Sequence, residues 1–156
     1  GADSVVEARS GSVMNGYLNR PLGEGFTADG WWRTGDIGRF DEDGYLFLQG
    51  RASDLIITGG HNVQPAEVER VLASVFGVAE VAVAGVPDER WGQIVGAFVV
   101  AQPGVELARL LSELRSVADL ELAPSQRPRQ WRFLAELPRN ALGKVTRSRL
   151  AVMSAE

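Results

Sequence analysis

Cysteine is absent from this 156-residue chain. Disulfides and thiol-based catalysis are therefore excluded together, which fits a reducing cytoplasm. Histidine occurs once, as His61, so a multi-histidine metal centre is ruled out and a Ser-His-Asp triad would depend on that single residue. No apolar run approaches the roughly 18 residues a helix needs to cross a bilayer, so no transmembrane segment is expected. Surplus positive charge is lacking too: the formal net charge is -4 and the arginines are scattered, which leaves no basic stripe for nucleic acid. Lysine is almost missing. Of 16 Lys plus Arg, all but Lys144 are arginine.

What is present is ordinary for a folded protein, with 45% hydrophobic and 23% charged residues. The length allows one domain with a real core, or one domain and a piece of another. The first fifty residues are rich in glycine and turn signals, with short candidate strands and no helical period. Their clearest unit is IGRFDEDGYLFLQG, where Asp41 to Gly44 supply turn chemistry between two apolar runs and predict a β-hairpin. Such a segment does not build a core alone. The same DEDG turn lacks the remaining ligands of a calcium-binding loop, and no metal site is expected.

From Asp54 onward the pattern becomes a regular alternation. DLIITGG is a short apolar run stopped by two glycines, and PAEVERVLASV places Val68, Val71, Leu72 and Val75 on one helical face behind an N-terminal proline. VAEVAVAGV and IVGAFVVA predict strands joined by PDERWGQ. Leu107, Leu110, Leu111 and Leu114 then mark a second helix, QWRFLAE a further strand, and TRSRLAVM a short terminal helix capped by Thr146. The order helix, strand, strand, helix, strand, helix predicts a small α/β layer domain.

Several residues in this frame could carry chemistry. In WWRTGDIGRF, Asp36 follows a glycine at a strand edge; it is either a turn carboxylate beside tryptophans or an acceptor for the two hydroxyls of a vicinal diol such as a ribose. Arg51 lies at the seam between the two halves, where a cation could meet a nucleotide. Gly59 and Gly60 permit close approach of backbone to a ligand, and equally suit a turn with positive φ. Trp91 either covers the local core or offers a flat face to a ligand. His61 is expected to be an exposed loop residue. Lys144, after Gly143 in a polar loop, is a compact charge on a flexible stem, suited to following a phosphate whose geometry changes. One residue does not exclude chance.

Taken together, VMNGYLNRP, DGWWRTGDIGRFDEDGYLFLQGR, DLIITGGHNVQPAEVE, GVPDERWGQ and LPRNALGKVTR resemble the closing third of an acyl- or aryl-CoA ligase. Such enzymes belong to the adenylate-forming superfamily, with luciferases and peptide-synthetase adenylation domains. The five segments stand in the family's order from about Gly11 to Leu150.

The resemblance implies a mixed α/β (α+β) fold. Residues 1–50 would be the β-rich end of a large AMP-binding domain, and residues 51–156 a mobile C-terminal domain with about three strands flanked by helices and a hinge near 51–54. It further implies that Asp36 holds the ribose hydroxyls of ATP or AMP and that Arg51 supports the same nucleotide. Gly59 and Gly60 would line the pantetheine tunnel, Trp91 would pack near coenzyme A, and Lys144 would contact the substrate carboxylate and the α-phosphate during adenylation. The implied reaction joins a carboxylic acid to coenzyme A at the cost of Mg-ATP, in two steps separated by rotation of the small domain.

Two departures stand out. The family's hinge residue is usually Asp or Lys and falls here on Ser53, which can absorb a backbone rotation but offers no charge to hold either state. The family's Ser/Thr/Gly-rich phosphate loop and acyl pocket are not in these residues. The expectation is therefore a C-terminal portion that needs the large domain, in cis or in trans, for turnover. Two alternatives stay open: a non-catalytic, partner-docking module, and an adenylating enzyme that loads a carrier protein. DERWGQ with RPRQWRFLAELPRNALGKV is more similar to benzoate-type than to very-long-chain ligases.

Overall fold

The structure is a computed structural model that describes residues 4–21 and 23–153. The chain divides between Ser53 and Asp54 into two units. This division leaves residues 51–53 with the first unit.

The first unit is a three-stranded antiparallel sheet of β1 (Ser4–Ala8), β2 (Trp32–Phe40) and β3 (Leu46–Arg51), in that spatial order. Strands β2 and β3 form the predicted hairpin. Its turn is held by Asp41, whose Oδ1 accepts from the amides of Asp43 and Tyr45 at 3.1 and 2.8 Å. A register shift between Ile37 and Gly38 re-aims the strand, and beyond it Asp36 lies opposite Arg51. Among the described residues of this unit, Ile37 is the one large apolar side chain that is buried, while Phe40, Tyr45, Phe47 and Leu48 are exposed. A small sheet with so little covered surface needs another layer to be stable.

The second unit contains β4 (Ile56–Thr58), β5 (His61–Val63), α1 (Pro65–Leu72), β6 (Val78–Asp88), β7 (Gly92–Ala101), α2 (Leu107–Glu121), β8 (Gln130–Phe133) and α3 (Arg147–Met153). Its sheet runs β5-β4-β7-β6, with β8 parallel to β7. Five strands replace the expected three or so. The two additional ones are three residues each, and β5 carries polar His61 and Asn62, so neither length nor alternation marks it as a strand.

Both faces of this sheet are covered, which explains why β6 and β7 read as nearly continuous apolar runs. Val83, Val95, Ala97 and Val99 face a core shared with Val68, Val71 and Leu72 of α1 and with Leu110, Leu114 and Ala118 of α2. Ala82, Ala84 and Phe98, one step away along each strand, face a second core with Leu137 and with Leu150 of α3. The face predicted for α1 is the buried one. In α2 the apolar stripe runs later than predicted: Leu107 is exposed, and Ala118 completes the buried row. That helix is capped by Glu106, whose carboxylate accepts from the amides of Ala108 and Arg109 at 2.9 and 2.8 Å. Among the described residues, no helix is long and apolar enough to cross a membrane.

Candidate functional site

In the first unit, Asp36 and Arg51 meet. Arg51 Nε stands 3.0 Å from Asp36 Oδ1, and Arg51 Nη1 donates to the Thr34 carbonyl at 2.9 Å. Thr34 fixes the same corner from beneath: its hydroxyl donates to the Val6 carbonyl at 2.9 Å and accepts from the Asp36 amide at 3.0 Å. The side chains of Arg51 and Asp36 are 56% and 31% exposed. The pair is thus fixed in place with polar capacity left over, as a surface that receives a polar ligand requires.

In the second unit, Gly59 and Gly60 are the two central residues of the tight turn between β4 and β5, flanked by the pair Thr58 and His61. Their φ values of +54° and +81° are those of a two-residue primed turn, which L side chains resist. Gly59 has a second reason to be glycine. A β-carbon built there would lie 2.4 Å from Trp91 Cε3. The Gly59 amide also donates to the Trp91 carbonyl at 3.0 Å, and the Ile57 amide donates to Gln93 Oε1 at 3.0 Å, so the turn is fastened to the start of β7. Asp88 Oδ1 accepts from the amides of Arg90 and Trp91, both at 2.9 Å, and this sets the connecting loop. The guanidinium carbons of Arg129 and Arg90 lie 4.5 and 5.2 Å from the Trp91 ring centroid. Trp91 is therefore a half-buried aromatic with two exposed cations beside it.

Lys144 stands on a third element, the loop that leads into α3. Asn140 organises this loop: its Oδ1 accepts from the amides of Leu142 and Lys144 at 3.0 and 2.9 Å, and its own amide donates to the Lys144 carbonyl at 2.9 Å. Arg139 donates to the Gly143 carbonyl at 2.8 Å and forms an ion pair with Glu80 on β6. Lys144 itself is exposed, and among the described residues no carboxylate is ion-paired with it. A fixed backbone thus presents an ammonium that is available to an incoming anion.

Of the remaining expected residues, Ser53 lies in the single helical turn Ala52–Asp54, and His61 is an exposed residue of β5 rather than of a loop. Among the described residues, no group of three or more His, Asp or Glu could hold a metal ion. Asn140, Arg139, Arg90, Arg129 and Arg147 were not singled out from the sequence. Fifteen arginines leave no single one conspicuous, and the ion-pair partners of Arg139 and Arg147 lie far away along the chain.

This arrangement has known counterparts. Residues 67–144 match the family described as AMP-binding enzyme C-terminal domain. A 2-succinylbenzoate–CoA ligase from Listeria monocytogenes serotype 4b is 42% identical over 149 residues, which cover 95% of this chain and 31% of that protein. A long-chain-fatty-acid–CoA ligase from Mycobacterium tuberculosis is 42% identical over 147 residues, 94% of this chain and 29% of that protein. The crystal structure of ATP-bound MatB from Rhodopseudomonas palustris superposes with a TM-score of 0.89 at 36% identity, covering 100% of this chain and 31% of that one. The chain spans about 30% of the length of the curated relatives it matches. With half of its residues in the matched region, this chain belongs to the AMP-binding enzyme C-terminal domain family, the C-terminal portion of adenylate-forming enzymes.

Proposed function

We propose that this chain is the C-terminal part of an ATP-dependent carboxylate–CoA ligase. The observation that carries the reading is Lys144: the sole lysine, exposed, without a carboxylate partner among the described residues, on a loop whose backbone Asn140 and Arg139 lock. In the first half-reaction a carboxylate oxygen attacks the α-phosphorus of ATP, and pyrophosphate leaves with the electrons of the broken P–O bond. Negative charge builds on the α-phosphate oxygens, and the Lys144 ammonium stabilises it. A magnesium ion would travel with the ATP phosphates; no residue of this chain is assigned to it.

Asp36 accepts hydrogen bonds from the ribose hydroxyls, and Arg51 both holds Asp36 in place and adds positive charge near the nucleotide. Their fixed geometry with spare acceptor capacity supports these roles. In the second half-reaction the coenzyme A thiolate attacks the acyl carbonyl, AMP departs, and a thioester forms. The backbone of Gly59 and Gly60 borders the pantetheine arm, with Trp91 behind it. Ser53 lies beside the boundary between the two units and serves as the pivot.

Coenzyme A, rather than a carrier protein, is the acceptor this site suits. Arg90 and Arg129, stacked against Trp91, offer two cations to a phosphorylated adenosine, a group that a carrier-bound pantetheine arm lacks. The acid is a small-molecule carboxylate. An aromatic and a long-chain fatty acid ligase share the same 42% identity with this chain, so overall similarity does not choose between them. A cysteine-free chain suits the cytoplasm.

The test uses the full-length polypeptide that carries this chain with a large domain, assayed for ATP-dependent thioester formation with free coenzyme A and, in parallel, with a phosphopantetheinylated carrier protein. The reading predicts turnover with coenzyme A. Turnover with the carrier alone would refute the acceptor assignment, and turnover by residues 1–156 alone would refute the need for a large domain.

A further inference from the structure

Among the described residues, strand β6 pairs only with β7, so its other edge exposes main-chain groups that need partners. At Val83 both groups are satisfied by side chains. The Val83 amide donates to Glu69 Oε1 of α1 at 2.8 Å, and the Val83 carbonyl accepts from Arg147 Nε at 3.2 Å. The two side chains that close this edge are bound to each other. Arg147 Nη2 donates to both Glu69 oxygens, at 2.9 and 3.1 Å. The third guanidinium nitrogen, Nη1, donates to Asp54 Oδ2 at 3.0 Å. Every nitrogen of Arg147 is thus committed. The three side chains are only 20–30% exposed, so solvent screens the network less than it would a surface pair.

The location gives this network its significance. Arg147 is the first residue of α3 and follows Lys144 by three positions, and Asp54 is the first residue of the second unit. On the other side of Lys144, Arg139 is ion-paired with Glu80, also on β6. The lysine loop is therefore anchored to one strand before and after Lys144, and the second anchor continues to the boundary with the first unit.

We propose that Arg147 is a positioning residue for adenylation: through Val83, Glu69 and Asp54 it fixes the Lys144 loop relative to the start of the unit, so that Lys144 reaches the α-phosphate in register. This rests on the adenylation role assigned to Lys144. Arginine is required because the site asks for three divergent donors in one plane; a lysine ammonium cannot serve the Val83 carbonyl, Glu69 and Asp54 together.

The test compares Arg147→Lys with Lys144→Ala in the full-length polypeptide, measuring adenylate formation by ATP–pyrophosphate exchange and, separately, thioester formation from supplied acyl-adenylate. Arg147→Lys is expected to slow adenylation about tenfold or more, since a misplacement near 1 Å is enough for that, and to leave thioester formation within about twofold. Asp54→Asn, which keeps Arg147 and Glu69 intact, should show the same selectivity to a smaller degree and serves if Arg147→Lys fails to fold. Equal loss in both half-reactions, or no loss, would overturn the positioning role and reduce Arg147 to an edge seal. If Lys144→Ala is selective for adenylation while Arg147→Lys and Asp54→Asn are not, only the positioning proposal falls. If Lys144→Ala shows no selectivity, both fall.

Discussion

The six-membered ring of Trp91 occupies the space where a β-carbon on Gly59 would sit, 2.4 Å from that position. Gly60, whose φ of +81° is also positive, has nothing within 4 Å of the corresponding point. The two adjacent glycines therefore separate conformational cost from steric cost. Gly60→Ala should cost about 1–2 kcal/mol, the penalty for an L residue in the left-handed region. Gly59→Ala carries that penalty and also displaces Trp91, so it should lower Tm further. It should also slow thioester formation about tenfold while sparing adenylation. Thermal unfolding and the two half-reaction assays check this; equal effects of the two substitutions would contradict it.

Asp36→Asn separates binding from stability in the first unit. Its ion pair with Arg51 is partly solvated, and exposed pairs of this kind contribute about 0–1 kcal/mol to folding. Tm should barely move. Loss of a charged acceptor for ribose hydroxyls should weaken ATP binding roughly tenfold or more, since hydrogen bonds to charged groups are worth about 1.5–3 kcal/mol. A titration of the full-length protein with ATP provides the measurement. Unchanged affinity would remove Asp36 from the nucleotide site.

Asn140→Ala tests the loop that presents Lys144. It deletes the oxygen that accepts from the Leu142 and Lys144 amides, and adenylation should fall by about tenfold as the loop loosens. Asn140→Asp keeps the acceptor and should restore most of the rate. If the aspartate variant is as slow as the alanine variant, the loop hydrogen bonds are not what matters.

Leu150→Ala serves as the structural contrast. Leu150 is fully buried against Phe98 and Leu137, and its truncation should cost about 2–5 kcal/mol. Both half-reactions should decline together as temperature rises. A selective loss of one would mean that α3 packing acts on the chemistry directly.

Much of the second unit was legible in the sequence because its signals are local. The buried row Val68, Val71 and Leu72 follows from helical spacing, and β6 and β7 follow from apolar runs long enough to be strands covered on both faces. The β2–β3 hairpin follows from the chemistry of Asp41 and Gly44. What escaped depends on distance along the chain. The β4–β5 hairpin has too few residues to show a period, and its turn glycines gain a second meaning only when Trp91 arrives from thirty-two positions later. The bond between Arg147 and Asp54 spans 93 positions, and neither residue differs in type from many others. Lys144 was conspicuous by rarity, whereas the Asn140 and Arg139 that hold its loop were not.

The central claim is that Lys144 stabilises charge developing on the α-phosphate and takes no part in thioester formation. The most direct measurement is Lys144→Ala in the full-length polypeptide, with the two half-reactions assayed separately. Loss of one donor to a developing oxyanion corresponds to about 3 kcal/mol. Adenylation should therefore slow on the order of a hundredfold or more, while supplied acyl-adenylate is still converted to the coenzyme A thioester at a near wild-type rate. Equal loss of both half-reactions, or undiminished adenylation, would contradict the account.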